Sequence, residues 1–247
     1  MPDITLPGPT GTLRGYLATP AGDGPWPGVV VLHEAFGLTT DIRRQTDQLA
    51  MAGYLALAPD LFSEGGRLRC LIPTFRALTR GNGRAFDDID AARDWLAGRD
   101  DCTAKVGVIG FCMGGGFALL CAPREGYAAA SSNYGSVPKE PERVLAGACP
   151  IVGSYGGRDP GLRGQARRLD TALTNLGVEH DVKEYPEAGH SFLNRHSSGP
   201  LAALERVVGF GYHEEPAHDA WQRIFAFFDT HLRAEPHYEE SGGAGLE

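Results

Sequence analysis

Apolar stretches and helical periodicities take turns along this chain. Gly28-Val-Val-Val-Leu-His33 is a continuous apolar run, as a strand buried on both faces requires. Tyr54–Pro59, Lys105–Gly110, Tyr127–Tyr134, Cys149–Tyr155 and His180–Tyr185 are further strand-like runs. Leu13–Ala18 alternates, which predicts an early antiparallel strand. Between them the period lengthens. Asp41–Ala52 predicts a helix capped by Thr40 or Asp41 and stopped by Gly53. Phe86–Ala97 predicts another, with Ile89 and Trp95 turned inward. Gly116–Ala122, Leu162–Leu176 and Pro216–Leu232 complete the set. Phe62–Gly83 is a glycine- and arginine-rich connection whose pattern selects no element. Strands alternating with helices predict an α/β fold, a mostly parallel sheet of about eight strands with helices on both faces. No repeat or linker divides residues 1–234, so one domain is expected. Residues 235–247 read as a disordered tail.

Composition narrows the picture. A chain of 247 residues that is 42% hydrophobic and 22% charged suits a single α/β domain with a sizeable core. A net charge of −8 argues against nucleic acid or an anionic membrane as partner. It leaves a small molecule as the ligand, on a monomer or small homo-oligomer. Five singly scattered cysteines do not form a disulfide framework. No signal-peptide pattern and no long apolar span is visible, so a reduced, soluble, cytoplasmic protein is expected.

The chemistry concentrates at Gly110-Phe-Cys112-Met-Gly114-Gly115, between a buried strand and a helix. Glycines two residues either side of a central residue, at an abrupt strand-to-helix turn, are the pattern of a nucleophile elbow. The turn is too tight for side chains at those glycines, and its central residue is strained outward over the sheet edge. Here that residue is Cys112. An elbow nucleophile needs an acid and then a histidine later in the chain. Asp159 lies in a Gly-Gly-Arg-Asp-Pro turn beyond one strand, and His190 in a glycine-containing loop beyond the next. All three fall just past carboxyl ends of strands, where open α/β sheets gather ligands.

A free thiol with a pKa of about 8.5 is only a few per cent ionised at neutral pH and needs a base beside it. His190 is the candidate base, and Asp159 would fix its tautomer. The tetrahedral intermediate needs two donors, each worth about 2.7–4 kcal/mol in comparable sites. The backbone N–H of Met113 and one from the loop after the third strand, at Ala35, are the candidates. His33-Glu34 has no third ligand at zinc spacing, so no metal or other cofactor is expected.

These stretches carry a resemblance. Leu32-His-Glu34-Ala-Phe-Gly37, Ala58-Pro-Asp-Leu61, Gly110-Phe-Cys112-Met-Gly-Gly115, Asn133-Tyr-Gly135, Gly157-Arg-Asp159 and Gly189-His190-Ser-Phe192 are similar to the dienelactone hydrolase family, a branch of the α/β-hydrolase fold. The resemblance spans about residues 1–232. It implies hydrolysis of an enol-lactone, dienelactone to maleylacetate, in degradation of chlorinated aromatics. It also implies that Glu34 contacts Cys112 at rest and withdraws when an anionic substrate binds.

An anionic substrate calls for an arginine, whose planar fork binds carboxylate bidentately. Arg195, five residues beyond His190, is the first candidate. The resemblance would put that arginine one residue sooner, where this chain has Asn194. A second arginine is implied after the fourth strand, and Arg67, Arg69, Arg76, Arg80 and Arg84 all qualify. Phe36 and Tyr134 are expected to line the pocket, with plain core packing as the alternative. Three readings follow: a cysteine hydrolase of lactones or small esters, a broader carboxylesterase or thioesterase, and a non-enzymatic redox or binding thiol on the same fold.

Overall fold

The protein is described by a computed structural model covering residues 3–9, 11–195 and 211–233. Its centre is an eight-stranded sheet: β1 (Asp3–Gly8), β2 (Gly11–Ala18), β3 (Trp26–Leu32), β4 (Leu55–Pro59), β5 (Cys102–Phe111), β6 (Ala129–Asn133), β7 (Ile151–Gly156) and β8 (His180–Tyr185). The spatial order is β1-β2-β4-β3-β5-β6-β7-β8. β1 and β2 form an antiparallel hairpin joined antiparallel to β4, and every later pairing is parallel. This is the sheet of an α/β hydrolase. The chain moves outward from β3 to β4 and then returns to the other side of β3 with β5. The two strands therefore diverge at a topological switch point, where a crevice opens at their carboxyl ends.

Seven helices are described: α1 (Thr40–Met51), α2 (Gly66–Arg80), α3 (Arg84–Ala97), α4 (Met113–Cys121), α5 (Pro141–Val144), α6 (Gln165–Leu176) and α7 (Glu214–Leu232). Sheet register fixes their sides. A Cβ on Gly28 would meet Leu96 of α3 at 2.9 Å, and one on Gly107 would meet Leu232 of α7 at 2.8 Å. Gly28 is paired with Val106, the residue before Gly107, and successive strand residues point to opposite faces. Hence α3 and α7 cover opposite faces. Tyr54 and Arg233 tie the end of α1 to α7, through Tyr54 Oη–Asp229 Oδ1 at 2.5 Å and Arg233 to the Ala52 carbonyl at 2.9 Å.

Four details differ from the sequence reading. Thr39, not Thr40 or Asp41, caps α1, its hydroxyl accepting from the Ile42 N–H at 3.4 Å. Trp95 is only half-buried, with the Arg99 guanidinium 4.8 Å above its ring; Leu96 fills the core position instead. The unassigned Phe62–Gly83 stretch holds a four-turn helix, α2, despite Pro73 within it. β1 went unread because only Ile4 and Leu6 alternate there, with Pro7 between Leu6 and Gly8; Leu6 is buried. Pro7 is compatible with a strand at the sheet edge. The tail expected at 235–247 lies outside the described residues.

Candidate active site

β5 ends at Phe111 and α4 begins at Met113, leaving Cys112 alone to make the turn. Its backbone sits at φ 55° and ψ −114°, a conformation that L residues rarely adopt. Close approach explains the flanking glycines: a Cβ on Gly110 would lie 1.9 Å from the Gly114 carbonyl oxygen, and one on Gly114 would lie 2.1 Å from that of Leu32. The Cys112 N–H donates to Asn133 O at 3.0 Å, which ties the elbow to β6. Met113, the first residue of α4, contributes an N–H with no intrahelical acceptor.

His190 stands in the loop after β8. Its Nδ1 lies 2.5 Å from Asp159 Oδ2, and Cys112 is near enough to act on the ring electrostatically. Asp159 is buried, and its other oxygen, Oδ1, accepts the Gly161 N–H at 2.9 Å. With Nδ1 given to the carboxylate, Nε2 is the ring nitrogen left for sulfur. Burial disfavours charge on the imidazole, but the hydrogen bond to Asp159 and the negative charge of Cys112 and Asp159 outweigh it and raise His190 to about 10. The three residues predicted from chain order are brought together.

Beyond β3 the chain enters a buried loop. His33 is inaccessible to water, and burial lowers its pKa, so the ring is neutral. Its Nε2 accepts the Leu61 N–H at 3.1 Å, which puts the proton on Nδ1, donating to the Glu34 carbonyl at 2.7 Å. This bond fixes the backbone that carries Ala35. Glu34 is itself 1% exposed, with Oε1 3.5 Å from the Ser191 hydroxyl. Phe36 is 56% exposed and lies under the Arg67 guanidinium, 5.6 Å from ring centroid to Cζ.

Tyr134 is buried, with its ring 5.2 Å from that of His190. Burial, together with the negative groups Glu34, Asp41 and Cys112, holds its hydroxyl far above the ordinary range, so it stays a donor. It donates to Asn194 Oδ1. Asn194 Nδ2 in turn donates to Asp41 Oδ2 at 2.9 Å, which settles the orientation of the amide. Asp41 also accepts the Arg195 N–H at 3.0 Å, Gln45 Nε2 at 3.1 Å and Arg44 Nη2 at 2.7 Å. A buried carboxylate at the start of α1 thus organises the turn that follows His190. Sequence reading missed this network. Its signal was local only in Asp41, which looked like a helix cap. Among the described residues, three of the four non-glycine positions with positive φ are Cys112, Tyr134 and Ser191, all at this site.

Arg195 is exposed. Its guanidinium packs 4.1 Å above the Tyr212 ring and donates to the Tyr212 hydroxyl at 2.7 Å. Of the other arginine candidates, Arg67 joins Phe36, while Arg69, Arg76, Arg80 and Arg84 line a separate cleft between α2 and α3. Among the described residues no cluster of metal-ligating side chains is present, and no helix is long and apolar enough to cross a membrane.

A strained elbow at the switch point, with an acid delivered after β7 and a histidine after β8, defines a hydrolase site of the α/β-hydrolase class. The chain belongs to the dienelactone hydrolase family, whose profile matches residues 13–232. It is similar to a provisionally assigned carboxymethylenebutenolidase of Methylorubrum extorquens, 30% identical over 243 residues that cover 92% of this chain and 79% of that one. A counterpart of the same name from Yersinia pestis is 30% identical over 248 residues, 93% and 88% of the two chains. Among solved structures, a provisionally assigned dienelactone hydrolase of Klebsiella pneumoniae superposes with a TM-score of 0.78 at 28% identity, covering 93% of this chain and 98% of that one. The protein is therefore a hydrolase of this family.

Proposed function

We propose that the protein hydrolyses lactones or small carboxylic esters through a cysteine acyl-enzyme, dienelactone or a related enol-lactone being the substrate type. The single observation that carries this is His190, held by Asp159 at 2.5 Å with Cys112 as its other charged neighbour. His190 holds the proton given up by the thiol, and Cys112 sulfur attacks the acyl carbon. The N–H groups of Met113 and Ala35 hold the resulting oxyanion. Collapse expels the enolate or alkoxide, which takes its proton from His190 and leaves a thioester. His190 then accepts a proton from water as that water attacks the thioester, and the carboxylic acid departs with the thiol restored. Phe36 and Tyr134 form the walls. Glu34, buried beside the oxyanion loop, restrains the thiol until an incoming carboxylate displaces it, and Arg195 would anchor that carboxylate.

A second reading, a broader esterase for neutral substrates, is favoured by the sealed position of Asn194 and the seat of Arg195 on Tyr212. Turnover of dienelactone beside neutral p-nitrophenyl esters separates the two. Arg195→Ala should raise KM for the charged lactone and leave the neutral esters unchanged if the first holds. For the chemistry itself, Cys112→Ala should lower kcat by at least about 1000-fold without changing the fold. Iodoacetamide should modify Cys112 first. Burial pushes the Cys102 and Cys121 thiols up, and that of Cys149 to about 12, which slows all three. Activity within tenfold of wild type in Cys112→Ala would remove the cysteine from the mechanism.

A further inference from the structure

Away from the triad, α2 and α3 enclose a cleft of about 570 Å³. Neither Cys112, Asp159, His190 nor Glu34 lines it. Its walls carry Arg69, Arg76, Arg80 and Arg84, with Cys70 between the first two along the helix. Arg84 is spoken for, paired with Glu64 and, at 3.4 Å, with Asp88. Arg69, Arg76 and Arg80 are different: the ion pairs among the described residues on this cleft involve Arg84 alone, and the cleft's two lining carboxylates, Glu64 and Asp88, are those already paired with Arg84.

Their spacing of seven and four residues puts all three on one stripe of α2. At 1.5 Å per residue that stripe is about 16 Å long. α2 contains no acidic residue, although the whole chain carries a net charge of −8. Like charges at i and i+4 repel each other, so Arg76 and Arg80 weaken the helix unless something negative lies between them. Exposed guanidinium forks spaced along one wall of a cleft are suited to several phosphate-type oxygens at once.

We infer that the α2–α3 cleft binds a soluble, elongated, multiply charged anion of the oligophosphate class, at a site separate from the hydrolytic centre. The arginines line a cleft rather than a flat face, which suits a small molecule better than an anionic lipid surface. The site would make hydrolase activity or stability responsive to such an anion, and it stands whether or not the lactone reading is right.

The probe is inorganic tripolyphosphate, titrated into the full-length protein by calorimetry at fixed ionic strength. We expect one saturable site. The double variant Arg76→Gln/Arg80→Gln should weaken binding at least tenfold. Arg67→Gln removes one charge from the same helix outside the cleft and should change it less than twofold. In a Cys112→Ala background, saturating tripolyphosphate should slow alkylation of Cys70 at least fivefold, because Cys70 lines the same cleft. Absence of saturable binding, or equal weakening by Arg67→Gln, would overturn the site. So would binding to phosphatidylglycerol vesicles without binding to soluble tripolyphosphate.

Discussion

At Cys112 the backbone is held at φ 55°, so the residue that carries the thiol also stores strain. Such conformations cost about 1–3 kcal/mol for a residue with a Cβ, and little for glycine. Two inactive variants should therefore differ in stability: Cys112→Gly should be about 1 kcal/mol more stable than Cys112→Ala, as read from urea midpoints. Equal midpoints would mean the elbow is relaxed. The neighbouring charge pair sets a pH dependence. His190 is raised from 6.5 to about 10 by Asp159 and Cys112 against the cost of burial. A histidine raised on folding contributes stability that is full below its unfolded pKa and disappears as pH climbs through the folded value. The advantage of wild type over Asp159→Asn should then be largest near pH 6 and shrink towards pH 10. A difference that stays constant across that range would show that Asp159 acts only as a hydrogen-bond acceptor.

Among elements, the arrangement that matters is how α1 and the turn after His190 are locked together. Asp41 sits in the first turn of α1, yet its oxygens serve Arg44, Gln45, Asn194 and the Arg195 N–H. Removing that acceptor strands several buried donors, each costing about 1–3 kcal/mol. Asp41→Ala should accordingly be strongly destabilising. Tyr134→Phe is the gentler probe, since it deletes only the bond to Asn194 and keeps the ring against His190. It should cost about 1–2 kcal/mol of stability. It should also reduce kcat several-fold with little change in KM, because the looser turn lets His190 drift from sulfur. An unchanged kcat with the same loss of stability would make the network purely structural. The same turn explains why the position expected for a substrate-binding arginine is closed: Asn194 is inaccessible to water and fully engaged by protein.

Over the whole molecule, what was legible in the sequence was whatever repeats locally. Apolar runs such as Val29–Leu32 declared the parallel strands, and amphipathic stretches such as Leu162–Leu176 declared helices. The elbow glycines and the order Cys112, Asp159, His190 were legible because each of the three falls just past the end of a strand. Contacts across the fold were not. Asn194 meets Asp41 over 153 positions of sequence, and no periodicity records such a pair. α2 stayed hidden for another reason: glycines at both ends, Pro73 inside and exposed Leu68 and Ile72 mask the helical period. The sheet that positions the site is stabilised far from it, which allows a clean separation of stability from chemistry. Leu232, at the end of α7, is fully buried over Gly107 of β5. Leu232→Ala should cost about 2–5 kcal/mol through the cavity it leaves. At about 2–4 °C per kcal/mol for a chain of this size, Tm should fall by roughly 4–20 °C. Gly107 lies five residues before Cys112 on the same strand, but the strand is paired on both sides and transmits little distortion. Alkylation of Cys112 at 20 °C, well below the transition, should therefore keep its wild-type rate within twofold. A larger change would mean that packing over the middle of β5 sets the geometry of the elbow.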